Sequence, residues 1–156
     1  MDVKYFKKEE NNGEFFCKIG KSEPHIGKGG YLDYEKYKGE IISLNSGEIT
    51  FEKLNDVIKF FHYGDELVIF DFSIEKKELE TAKYWADEIN KGCYQGTILY
   101  IKDVISLKDP STIDFIVENA TDKTNLKELW SSAKGHLEDK GFFDSANRLE
   151  ELMNHI

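Results

Sequence analysis

Arginine is almost absent from this chain. Of 21 basic residues only Arg148 is arginine, and the other 20 are lysine. The guanidinium fork is the usual grip on phosphate or carboxylate, so chemistry built on such clamps finds little support here, although lysine can act as a point charge. Cysteine is scarce as well. Cys17 and Cys93 lie far apart and neither belongs to a CxxC pair, which argues against a disulfide framework. His25, His62, His136 and His155 show no HxxxH or HExxH spacing, so a zinc site has no local scaffold. No apolar run approaches the ~18 residues of a membrane span. The opening Met1-Asp2-Val3-Lys4 does not begin the apolar core of a leader peptide. These absences lead to the expectation of a soluble, cytoplasmic domain with no metal, no cofactor and no membrane partner. Asn119-Ala120-Thr121 matches a glycosylation sequon, which carries no meaning in that compartment.

What is present is a foldable, acidic composition. The 156 residues suit one domain and are 40% apolar and 13% aromatic, too hydrophobic for disorder. The net charge of -9 is unevenly spread. Residues 1–30 hold six lysines against five acids, whereas residues 31–156 hold 15 basic and 25 acidic groups. Such a body repels nucleic acid and anionic membrane. It either attracts basic partners or simply keeps the chain in solution.

The pattern of apolar residues and turn signals suggests alternating strands and helices. Strands are expected near 2–7 and 14–19, joined as a hairpin through Asn12-Gly13. The glycine-rich stretch Gly20 to Gly30 reads as a loop. Glu40–Leu44 reads as a strand, followed by a helix capped by Thr50 with Phe51, Leu54, Val57, Ile58 and Phe61 on one face. Leu67–Phe72 is apolar on both sides, the signature of an interior strand covered on both faces. A helix is expected over 75–91 with Leu79, Ala82, Trp85, Ala86 and Ile89 as its stripe and Gly92 as its stop. Thr97–Ile105 is a further strand, and Asp109-Pro110 opens a short helix. Two helices over 124–140 and 144–156, joined at Gly141, end the chain. The expected fold is α/β: a mixed sheet with a parallel βαβαβ core (31–120), an N-terminal antiparallel hairpin with its glycine-rich loop (1–30), and a C-terminal antiparallel helical hairpin (121–156).

No motif identifies a catalytic chemistry. Gly20-Lys21-Ser22 resembles the end of a phosphate-binding loop, but Phe15 stands where the first glycine is required. Asp71 and Asp103 fall near the ends of expected parallel strands, where α/β sheets bind ligands. Two carboxylates there would hold a metal or a nucleotide, or divide acid and base roles; the bland alternative is that each caps a turn. Tyr31, Tyr34 and Tyr37 recur every third residue among Asp33 and Glu35. Tyrosine offers large rigid area with a polar tip and is common at interaction hot spots. Against this stands plain core packing. The expected helix over 75–91 adds Glu75, Glu78, Asp87 and Glu88 as a second acidic surface, or merely a solvated one.

Three functional expectations follow. The leading one is a protein-binding module, not an enzyme, that neutralises a basic partner such as a nuclease or toxin in the manner of inhibitors and immunity proteins. The second is a small enzyme working through the Asp71–Asp103 crevice. The third is scaffolding or self-association through an apolar stripe on residues 124–156; the chain is expected to be a monomer or a small homo-oligomer.

Overall fold

The computed structural model describes residues 3–5, 16–26, 31–43, 49–70, 85–90, 93–96 and 98–155. Eight strands lie within them: β1 (Val3–Tyr5), β2 (Phe16–Gly20), β3 (Ile41–Ser43), β4 (Ile49–Lys53), β5 (Glu66–Phe70), β6 (Trp85–Asn90), β7 (Cys93–Gly96) and β8 (Ile98–Ser106). They form one sheet in the order β1-β6-β7-β4-β2-β5-β8-β3. Every pairing between them is antiparallel. Two 3-10 helices, Glu35–Tyr37 and Leu54–Phe60, punctuate the strands. Three α-helices close the chain: α1 (Pro110–Asn119), α2 (Thr124–Asp139) and α3 (Phe143–Met153).

This sheet overturns the expected parallel βαβαβ core. A parallel pair needs a long crossover connection, usually a helix, and the described residues of the two expected crossovers form no α-helix. Over 51–64 the chain continues as β4 through Lys53 and then makes only a 3-10 helix. Leu54, Val57 and Ile58 are still buried, so the helical spacing was real but served a short turn. Residues 85–90 of the expected second helix form β6, which pairs β7 after only two intervening residues. Cross-strand pairing on both sides, to β1 and β7, outweighs the local helical pattern. The remainder of that expected helix, residues 75–84, lies outside the described residues.

The N-terminal hairpin is also corrected. Both strands exist near their expected places, but they do not pair with each other. β1 pairs β6, whereas β2 sits in mid-sheet between β4 and β5. An interior position for β2 explains why Phe16, Cys17 and Ile19 are all buried.

Alternation along the central strands sorts the core into two clusters. On β5, Leu67 and Ile69 face the helices, joined by Cys17 and Ile19 of β2, by Ile113, Ile116 and Val117 of α1, by Leu126, Ala133 and Leu137 of α2, and by Ala146 and Leu149 of α3. Val68 and Phe70 point the other way, to Phe16, Phe51, Ile42, Leu99, Ile101 and Tyr34. The expectation that residues 67–70 are covered on both sides thus holds, with antiparallel neighbours. A bulge between Ile69 and Phe70 of β5 opposite Ile101–Asp103 of β8 shifts the alternation. It lets Ile101 and Val104, three residues apart, enter the same cluster.

The C-terminal helical hairpin forms as expected. Gly141 takes φ +79°, and the Phe142 amide donates to the Leu137 carbonyl while the Gly141 amide donates to Glu138. This is a Schellman stop, which favours glycine at the left-handed position. Asp109 caps α1 by accepting from the Ser111 amide at 3.0 Å, with Pro110 in the first turn. The helical layer is fastened to the sheet side by Asn55, whose amide exchanges hydrogen bonds with Thr121 at 2.8 and 2.9 Å. Among the described residues no helix is long and apolar enough to cross a membrane.

Candidate functional site

The site begins with two glycines. At the end of β2 the Gly20 carbonyl accepts from the Asp65 amide, and a Cβ on Gly64 would lie 1.9 Å from that same oxygen. Only glycine at position 64 lets the turn before β5 approach so closely. On the other side of Gly20, an added Cβ would sit 3.1 Å from the Tyr34 ring and 3.0 Å from Val68. Tyr34 therefore lies over bare backbone, and this contact brings residues 31–37 onto the start of β5.

Glu66, the first residue of β5, is opposite Gly20 on one side and Ser106 on the other. By alternation it shares the face of Val68 and Phe70, the face that Tyr34 covers. Its side chain is only 7% exposed. Burial pushes its carboxyl up to about 7, and the neighbouring charges of Asp65, Glu35 and Asp33 push in the same direction. Tyr31, at the edge, is 42% exposed. Its phenol is raised by partial desolvation, then by Asp33, Glu66 and Glu23. An exposed tyrosine thus borders a converging set of acids from three segments: the 20–26 loop, the 31–37 segment and the start of β5.

Asp65 itself is occupied. Ser22 donates to it twice, from its amide at 2.8 Å and from its hydroxyl at 2.5 Å. The stretch that superficially matched a phosphate loop therefore turns its serine toward a carboxylate. Such a neighbourhood disfavours an anionic ligand.

A second buried carboxylate, Glu52 on β4, lies opposite Cys17. Burial lifts it to about 7; Lys18 pulls it down and Asp56 pushes it up. Cys17 is fully buried, and burial followed by the charges of Glu52 and Asp56 drives its thiol well above the ordinary range. A thiol so disposed does not supply a thiolate nucleophile. Cys17 acts as a small core residue.

The other sequence-derived candidates scatter. Tyr34 is core, buried by the cluster on its face, with its phenol raised by burial and by Glu66 and Glu52. Tyr37 packs partly against the same cluster, and Asp33 and Glu35 are exposed. Asp33 accepts from the Lys36 amide at 3.4 Å. Asp87 and Glu88 are consecutive positions of β6, separated from β2 by β7 and β4. They do not join the Tyr31 segment. Asp71, Glu75 and Glu78 lie outside the described residues. Asp103 stands at the β8 bulge rather than at a parallel strand end; it pairs with Lys38 at 2.9 Å and accepts from the Val104 amide. The parallel strand ends on which a crevice with Asp71 was expected do not occur among the described residues, and Asp71 itself lies outside them. Of the apolar stripes on α2 and α3, Leu126, Ala133, Leu137, Ala146, Leu149 and Met153 are buried in the helix-side core, and Leu129, Trp130 and Leu152 pack partly against it.

Three members of the acidic set, Glu23, Asp65 and Glu66, are not singled out from sequence. For Glu66 the available signal was a charged residue opening an otherwise wholly apolar strand. No family model, curated protein or solved structure matches the chain.

Proposed function

We propose that this protein is a non-catalytic binding module that docks a basic protein partner through the face formed by Tyr31, Asp33, Glu35 and Glu66. A cytoplasmic nuclease or toxin whose cationic surface is masked by the complex is the concrete case. The observation that carries this reading is the convergence of acids from separate segments beside an exposed tyrosine, with Glu66 held back from ionisation by burial and by like charge. A cation brought to that face relieves the repulsion. The overall charge of -9 adds long-range attraction that speeds encounter and weakens as salt rises.

A photocrosslinking residue in place of Tyr31 tests the reading in the native host. The expected product is a basic protein captured at position 31 and absent when the same residue replaces exposed Phe143 on α3. Equal capture of the same proteins from both positions would contradict it, as would capture of acidic proteins only.

A further inference from the structure

We propose that Glu66 is the seat for one arginine side chain of the basic partner, with the Tyr31 ring as the flat surface against which the guanidinium lies. This deepens the binding reading above and rests on it.

Three observations support the seat. First, Glu66 is buried to 7% exposure, yet no hydrogen bond or ion pair reaches its carboxylate among the described residues. A carboxylate so largely covered is usually matched, and its oxygens still reach the surface, where a donor from a partner can meet them. Secondly, the charged groups that act on it are acids: Asp65 in the turn just before its strand, and Glu35 and Asp33 on the segment folded over it. The other titratable groups packed there are Tyr31 and Tyr34 above it and buried Lys21 just beyond Gly20; Ser106 faces it from β8. Thirdly, Tyr31 remains 42% exposed at the rim.

The chemistry selects arginine over the alternatives. Among the described residues no three His, Cys, Asp or Glu side chains are disposed to hold a metal ion. An ammonium is strongly hydrated and costs more to bring against a buried carboxylate. A guanidinium is weakly hydrated, stacks on aromatic faces and donates in a fork. The chain has no spare guanidinium of its own. Arg148, its single arginine, is tied to Asp114 at 2.7 Å and Glu151 at 3.0 Å on the helical layer.

The test uses the full chain and hexa-arginine as probe, with affinity from calorimetry and the Glu66 carboxyl followed by carbon NMR. Saturating hexa-arginine is expected to draw the Glu66 titration from about 7 down by about one pH unit or more. Glu66→Gln is expected to weaken binding about tenfold, and Tyr31→Ala several-fold, whereas Glu151→Gln removes the same charge and changes affinity less than about twofold. Hexa-lysine binds several-fold more weakly than hexa-arginine. If hexa-arginine shifts the amides of residues 31–37 but Glu66 titrates unchanged and Glu66→Gln behaves like Glu151→Gln, the seat is wrong while the docking face stands. If the shifted amides lie on α2 and α3 instead, the docking face fails too. The carboxyl titration is read on the unaltered protein, so an unstable variant does not shield the inference.

Discussion

The acids of the helical layer and those at the start of β5 carry the same charge but live differently. On the helical layer, Asp114 meets Arg148, Glu150 meets Lys134 at 3.2 Å, Asp56 meets Asn125 and Lys59, and Asp109 and Asp122 cap backbone amides. Those carboxylates are matched locally, and hydrogen bonds to Ser111 and Thr124 hold Asp109 and Asp122 below the usual range. At the start of β5, Glu66 faces Asp65, Glu35 and Asp33 and is pushed up instead. One region uses its acids for stability. The other sets Glu66 among like charges with no hydrogen bond from the described residues, as an arrangement completed by a partner requires. Proteins commonly give up stability at such places.

The comparison can be broken first at the helical layer. Leu137 is fully buried between α2 and the sheet. Leu137→Ala should cost about 2–5 kcal/mol in denaturant unfolding, while leaving any binding at the Tyr31 face intact in the folded fraction. A loss of binding without loss of stability would show that the two regions are not separate.

The next effect is pH dependence. Glu52 and Glu66 titrate from an ordinary value of 4.5 up to about 7 in the folded chain. Between those values the folded state binds more protons than the unfolded one, so stability falls as pH rises through this window and levels off above it. Each group should contribute roughly 1–2 kcal/mol to the fall. Glu66→Gln and Glu52→Gln should each be more stable than the parent at pH 8 and indistinguishable from it at pH 4.5, read from urea midpoints. Glu66→Gln should lose basic-peptide affinity and Glu52→Gln should not. A parent whose stability rises from pH 5 to 8 would contradict both assignments.

A smaller effect belongs to Asn55, which joins the Leu54–Phe60 helix to the α1–α2 connection. Asn55→Ala should cost about 1–2 kcal/mol and speed hydrogen exchange at the Thr121 and Asp122 amides. The smallest belongs to Asp103. Its pair with Lys38 is partly exposed on both sides, so Asp103→Ala should change stability by less than about 1 kcal/mol and leave basic-peptide binding unchanged.

Much of this architecture was legible where the signal is local. Asp109-Pro110 announced α1, and Gly141 announced the turn between α2 and α3, because caps and stops act over a few residues. The wholly apolar Leu67–Phe70 announced a strand covered on both faces. What failed was pairing. Nothing near Phe16 says that β2 lies between β4 and β5, or that β1 meets β6 80 to 84 positions away. Those contacts depend on long loops closing, which local periodicity does not encode. Trp85, Ala86 and Ile89 fit a helical stripe and equally a short strand, and pairing decided between them. At the candidate site, the tyrosine spacing singles out residues 31–37, yet it does not separate inward Tyr34 from outward Tyr31. Glu66 stayed hidden because its burial comes from Tyr34 folding over Gly20, a contact made only in three dimensions.

Residue-resolved amide shift mapping of the full chain with a basic peptide tests the central claim most directly. The account predicts shifts concentrated in residues 20–26, 31–37 and 65–66 that fade as salt is raised. Shifts confined to α2, α3 or β6, or unchanged by salt, would contradict it.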